Sequence, residues 1–148
     1  MFRCIISILV LIQRRHIIKK NVMVCVTQQK TCDRLIKYGH ELLAGEKGEL
    51  YIIHVAPKAF KFLGNSQEGE ALDYLYEKAL EYGANLTVVR SNNIMDTLVD
   101  LVNKNKICHV VMGAAGQVNN EENLIAMFGK KIDKQARLTV VPSEGGDS

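Results

Sequence analysis

A chain of 148 residues, 47% apolar and 24% charged, has the size of one domain rather than of a multidomain enzyme, with enough apolar content to bury a core without disulfide or metal staples. Nineteen Lys and Arg against sixteen Asp and Glu is too mild a surplus for a nucleic-acid binder, which shows clustered basicity. Four cysteines, Cys4, Cys25, Cys32 and Cys108, form no C-x-x-C pair and no zinc spacing. Three lie inside apolar runs, as small hydrophobes do in a reducing compartment, so a cytoplasmic location is expected.

Residues 4–12 are an apolar run followed by Arg14, Arg15, His16, Lys19 and Lys20. The run is shorter than the roughly 20 residues of a membrane span, and it lacks the charge order and cleavage site of a signal peptide. Three readings of residues 1–19 stay open: an extra strand or helix packed on the domain, an extension ahead of a start near Met23, or a surface membrane anchor.

From Asn21 the pattern is regular. Val22, Met23, Val24, Cys25 and Val26 lead to Thr27 as a near-continuous apolar run, which predicts a strand covered on both faces of a parallel sheet. A helix is expected next, with Thr31 as N-cap and Asp33 in the first turn. Its apolar face is Cys32, Leu35, Ile36, Gly39, Leu42 and Leu43, and Gly45 closes it. The second strand is read over residues 49–55, and Pro57 opens a loop to about Ser66 that carries Phe60 and Phe62. The second helix shows the stripe Leu72, Leu75, Tyr76, Ala79 and Leu80 and stops at Gly83.

Residues 85–90 read as strand three. Asn93 is expected to cap a third helix, with Asp96 three residues on and Ile94, Leu98, Val99 and Val102 facing inward. Residues 107–112 read as strand four, followed by Gly113-Ala114-Ala115-Gly116 and a helix with Leu124, Ile125, Phe128, Ile132 and Ala136 on one face. Residues 138–141 read as strand five, ended by Pro142. The domain is expected over residues 20–143, with 144–148 a tail. Strands alternating with helices at this spacing imply βαβ units and a parallel sheet with helices on both faces.

In such a sheet ligands bind beyond the carboxyl ends of the strands, where strand order reverses. The loops after strands one, two and four are therefore the ones to search. A Walker A loop is absent: Leu124 stands where its first glycine would precede Gly129-Lys130, and Lys131 replaces the Ser or Thr. The first βα turn has no glycine, which excludes a dinucleotide fingerprint. Gly113 and Gly116 are the one glycine pair at a strand end, suited either to backbone approach by a phosphate or ribose or simply to a tight turn. Glu121 and Glu122, near the start of the next helix, would repel a phosphate. Cys32, His54 and His109 read as core or edge residues, and no nucleophile–base or paired-carboxylate constellation stands out.

The chain from about Lys20 to Pro142 resembles the universal stress protein family. The residues that carry the likeness are Val22-Met23-Val24-Cys25-Val26-Thr27, Leu50-Tyr51-Ile52-Ile53-His54-Val55, Val110-Val111-Met112-Gly113-Ala114-Ala115-Gly116 and Thr139-Val140-Val141-Pro142. Residues 24–36 look most like the stress-protein domain of Kdp-type potassium sensor kinases. The resemblance implies a Rossmann-like α/β fold: a five-stranded parallel sheet, order 3-2-1-4-5, with helices on both faces.

Family members that bind ATP carry an Asp after strand one and G-x2-G-x9-G-(S/T) after strand four. Here Thr27 stands for the Asp, Gly113 and Gly116 match the first half, and Ala126 and Met127 replace the third glycine and the hydroxyl. The resemblance thus implies a degenerate pocket at Thr27, Gln28, Val55, Gly113, Gly116, Ala126 and Met127. It would take ATP or another adenine nucleotide weakly or not at all, and Ala126→Gly with Met127→Ser would strengthen it. It further implies a homodimer through the last strand at Leu138, Val140 and Val141. The function so implied is a non-catalytic cytoplasmic stress-response or sensory protein acting by ligand binding and dimerisation, with no nucleic-acid partner and no membrane span. The alternatives are a weak ATPase or nucleotide-using enzyme, and a purely structural dimerisation module.

Overall fold

A computed structural model of the chain describes residues 20–26, 29–56, 66–113 and 119–142. The elements in order are β1 (Asn21–Val26), α1 (Gln29–Leu42), β2 (Leu50–Ala56), α2 (Ser66–Tyr82), β3 (Asn85–Arg90), α3 (Ile94–Lys104), β4 (Ile107–Gly113), α4 (Asn119–Ile132) and β5 (Arg137–Val141). All strand pairs are parallel, in the order β3-β2-β1-β4-β5. The strand order and the alternation of helix and strand match the sequence reading.

The apolar run of β1 places it at the centre of the sheet, where every residue is buried. Alternate residues serve opposite faces. Val22, Val24 and Val26 join Leu35 and Ile36 of α1 and Leu75 and Ala79 of α2 in one core. Met23 and Cys25 join Leu98 and Val102 of α3 and Phe128 and Ile132 of α4 in the other. Between Asn21 and Val22 the β1–β4 register shifts by one residue: Asn21 pairs with Ile107 and Val22 with His109, so Cys108 is left without a partner on β1.

Gly39 lets α1 lie close on the sheet, since a Cβ there would stand 2.5 Å from Val24 Cγ2 and 3.1 Å from Leu50 Cδ1. Gly39→Ala is therefore expected to destabilise the chain by about 1–3 kcal/mol, despite alanine's higher helix propensity. Urea unfolding checks this: a variant as stable as the parent would mean that α1 can lift off Val24 without loss.

Three local expectations are corrected. The helix α1 starts at Gln29, so Thr31 and Asp33 are its third and fifth residues rather than cap and first turn. The chain enters the helix two residues after β1, and this tertiary constraint overrides the local capping signal. On α2, Tyr76 is 58% and Leu80 66% exposed, whereas Leu75 and Ala79 are buried. The sequence offers two overlapping apolar stripes, but the helix touches a single layer and can bury only one. The core under α1 takes Leu75 and Ala79, and beside them Lys78 bonds Asp33 of α1 at 3.0 Å and Glu81 at 3.1 Å and lies 5.6 Å from the Tyr74 ring centroid. Tyr76 and Leu80 fall on the opposite flank. The Lys78 ammonium, held chiefly by its bonds to Asp33 and then Glu81, has its pKa raised above the usual lysine range. Ile94 is 41% exposed, unlike Leu98 one turn later, because it is the first residue of α3, where the helix meets the open end of its layer.

The Asn93 cap forms as expected. Its Oδ1 accepts from the Asp96 backbone N–H at 3.2 Å, and its Nδ2 donates to Asp96 Oδ2 at 2.7 Å. Gly83 stops α2 with a positive φ of 64°, a conformation glycine adopts at little cost.

Candidate ligand-binding site

The reversal of strand order falls between β1 and β4. These strands pair side by side, but α1 packs on the face of Val24 and Val26, whereas α4 packs on the face of Met23 and Cys25. In a fold of this kind the carboxyl ends of these two strands are where a ligand crevice is expected. Only residues 27 and 28 separate β1 from α1, and residues 114–118 separate β4 from α4. Both helices thus start beside the crevice, with first-turn N–H groups that lack intrahelical acceptors. The first turn of α1 carries no acidic residue, whereas Glu121 and Glu122 are the third and fourth residues of α4. The α1 end is the better one for an anion.

Gly113 closes β4, half-buried, beside Val141 of β5. A Cβ at Gly113 would stand 3.3 Å from Leu35 Cδ1, so the missing side chain lets Leu35 of α1 pack closely on the end of β4. Val55 is half-buried on the opposite face, against the core under α3 and α4. Thr27, Gln28 and Gly116 lie outside the described residues.

Ala126 and Met127 are not at the start of α4. They stand seven and eight residues beyond Asn119 and are exposed, about 10 Å along the axis at 1.5 Å per residue. The stretch that the family motif uses between its second and third glycines is here largely helical. Ala126→Gly with Met127→Ser would therefore add no phosphate contact at the first turn, and it would place a glycine in a helix interior.

Sequence reasoning set His54 aside as a core or edge histidine. Its Nδ1 lies 3.2 Å from the carbonyl oxygen of Val26, which satisfies that reading and also puts the ring at the end of β1, beside the crevice. The signal that finds it is the alternation along β2, where His54 follows Ile52 on the α1 face and pairs with Val26.

Of the three residues expected at a dimer contact, Val141 belongs to the chain's own core and Leu138 packs against the other core. Val140 alone is exposed, at 39%. Among the described residues β5 pairs only with β4, so its outer edge keeps free backbone donors and acceptors.

No three metal-ligating side chains converge among the described residues, and no described helix is long and apolar enough to cross a membrane. Cys25 is free and buried, and burial pushes its thiol up to about 12, a chemically inert form.

The molecule is thus a doubly wound α/β protein whose strand order reverses between β1 and β4. The model of the universal stress protein family matches residues 19–141, and the chain belongs to that family. Solved structures with the same fold include a universal stress protein in complex with cAMP, at TM-score 0.57 and 16% identity, covering 82% of this chain and 95% of that one. Another is the universal stress protein from Archaeoglobus fulgidus in complex with dAMP, at TM-score 0.54 and 16% identity, covering 85% and 98%. A third is UspA from Lactobacillus plantarum, at TM-score 0.58 and 14% identity, covering 82% and 97%. A search of curated proteins finds no significant match.

Proposed function

We propose that this chain is a non-catalytic stress-response or sensory protein of the cytoplasm that binds an adenine nucleotide weakly in the β1–β4 crevice and works as a homodimer joined along β5. The observation that supports the reading is the reversal of strand order between β1 and β4, with the bare Gly113 ending β4 against Leu35 and a first turn of α1 free of acidic residues. Family members of the same fold have been solved with cAMP and dAMP. Thr27, Gln28, Val55, Gly113 and Gly116 are the proposed ligand residues; Ala126 and Met127, exposed in the middle of α4, are not. The proposed domain spans residues 20–143, and a kinship of residues 24–36 with the stress-protein domain of Kdp-type sensor kinases, with a sensory rather than a catalytic role, is part of the proposal. The buried free thiol of Cys25 suits the reducing compartment.

Calorimetric titration of the full chain with AMP and ATP is expected to give dissociation constants weaker than about 1 μM, or roughly −8 kcal/mol, with no phosphate released from ATP. Phosphate release would make the chain an enzyme, and a flat titration at millimolar nucleotide would leave a purely structural dimerisation module. Light scattering at tens of micromolar is expected to show about 33 kDa, twice the 16.6 kDa of one chain. Val140→Glu, which places a charge on the open edge, is expected to halve that mass without loss of helical circular dichroism. A monomeric parent would refute the dimer.

A further inference from the structure

The opposite end of the sheet holds an open groove of about 780 Å³. It is lined by Lys20 ahead of β1, Cys108 and His109 at the start of β4, Asp133 and Lys134 after α4, and Arg137 at the start of β5. Three cations, one ahead of β1 and two from the passage between α4 and β5, thus meet one carboxylate. Lys20 is ion-paired to Glu46 at 3.1 Å, whereas Lys134 and Arg137 have no ion-pair partner among the described residues. The carbonyl end of α4, which would otherwise repel an anion, is partly occupied: Ile132 O accepts from Gln135 N and Ala136 N, both at 2.8 Å.

His109 reports the field in the groove. Its Nε2 lies 2.6 Å from Thr139 Oγ1 on β5. Burial first, then the charges of Arg137 and Lys20, hold its pKa below the usual histidine value. Burial raises the Cys108 thiol, against the lowering effect of Lys20.

We propose that this groove is a second ligand site, for a small hydroxylated phosphate monoester whose dianion is held by Arg137 and Lys134. Two unengaged cations match two negative charges, and the guanidinium fork suits phosphate oxygens. Asp133, the one opposing charge in the lining, accepts hydrogen bonds from ligand hydroxyls. Leu138 and the bare Gly129 supply an apolar wall. The volume fits a small organic molecule better than a lone ion. The site is independent of the crevice, since it lies at the amino rather than the carboxyl ends of β4 and β5.

The test is an NMR titration of the full isotope-labelled chain with glucose 6-phosphate, and in parallel with inorganic phosphate and with glucose. Saturable shifts are expected at His109, Arg137 and Thr139, with the phosphate ester binding at least threefold tighter than inorganic phosphate and glucose binding not at all. A bound dianion offsets the field of Arg137 and Lys20 and favours the charged imidazole. The titration midpoint of His109 should therefore rise by at least about half a pH unit at saturation. Lys134→Gln with Arg137→Gln should weaken binding at least tenfold and abolish that rise. Absence of saturable shifts, shifts centred on Val55 and Gly113, unchanged affinity in the double variant, or equal binding of ester and inorganic phosphate, which is an adventitious ion only, would each overturn the proposal.

Discussion

Replacing Phe128 by alanine is expected to destabilise the chain by about 3–5 kcal/mol, out of the roughly 5–15 kcal/mol typical of a domain. Phe128 is 1% exposed and is the largest of the fully buried side chains described. It anchors α4 in the core that also holds Met23, Ile53, Val110 and Ile132. Its removal costs the transfer free energy of the ring and leaves a cavity that the rigid sheet cannot close. Phe128→Leu keeps most of the apolar volume and should cost far less. Urea unfolding followed by circular dichroism measures both, and equal losses in the two variants would show that the ring's shape rather than the filled volume matters.

Asn21→Leu is expected to cost about 2–4 kcal/mol, because it orphans two backbone groups at about 1–3 kcal/mol each. Asn21 is the buried polar residue among those described. Its Nδ2 donates to the Asn105 carbonyl at 2.8 Å, and its Oδ1 accepts from the Glu49 N–H at 3.0 Å. It thereby ties the chain ahead of β2 and the turn ahead of β4 to the start of β1. Asn21→Asp keeps the acceptor for Glu49 N–H but, when ionised, sets an oxygen against the Asn105 carbonyl. It should be comparably unstable at neutral pH and should recover as pH falls and the carboxyl becomes a donor. Thermal unfolding at two pH values separates the cases, and a pH-independent loss in Asn21→Asp would show that the bond to Asn105 contributes little.

The fold was legible because the decisive signals are long and redundant. The run from Val22 to Val26 reads as a strand buried on both faces, and Gly83 and Asn93 mark helix ends by local chemistry alone. What escaped sequence reasoning depends on contacts between elements. Tyr76 and Leu80 satisfy helical periodicity as well as Leu75 and Ala79 do, and only the packing of α2 beside α1 on the sheet decides which pair turns inward. The reversal of strand order was legible, and with it the strand ends at which Gly113 and Val55 stand. Counting residues from Gly116 put Ala126 and Met127 beside it, but counting along the chain assumes a loop, and α4 is already helical from Asn119. His54 was visible as a residue yet not as a neighbour of Val26, because that contact comes from the pairing of β2 with β1.

The unpaired Cys108 acts as a parity device. Ile107 and His109 are two residues apart and would share a face in an unbroken strand, yet Ile107 is buried in the core under α3 and α4, while His109 pairs with Val22, which serves the core under α1. The extra residue resets the alternation, so that the two core faces are exchanged near the start of a single strand. Deleting Cys108 would bring Ile107 and His109 into direct succession with each still on its present side. Deleting one residue farther along, between Val110 and Met112, would instead invert everything before it. Length changes in this strand are therefore unequal in consequence: one position can gain or lose a residue while the interior keeps its composition, and its neighbours cannot.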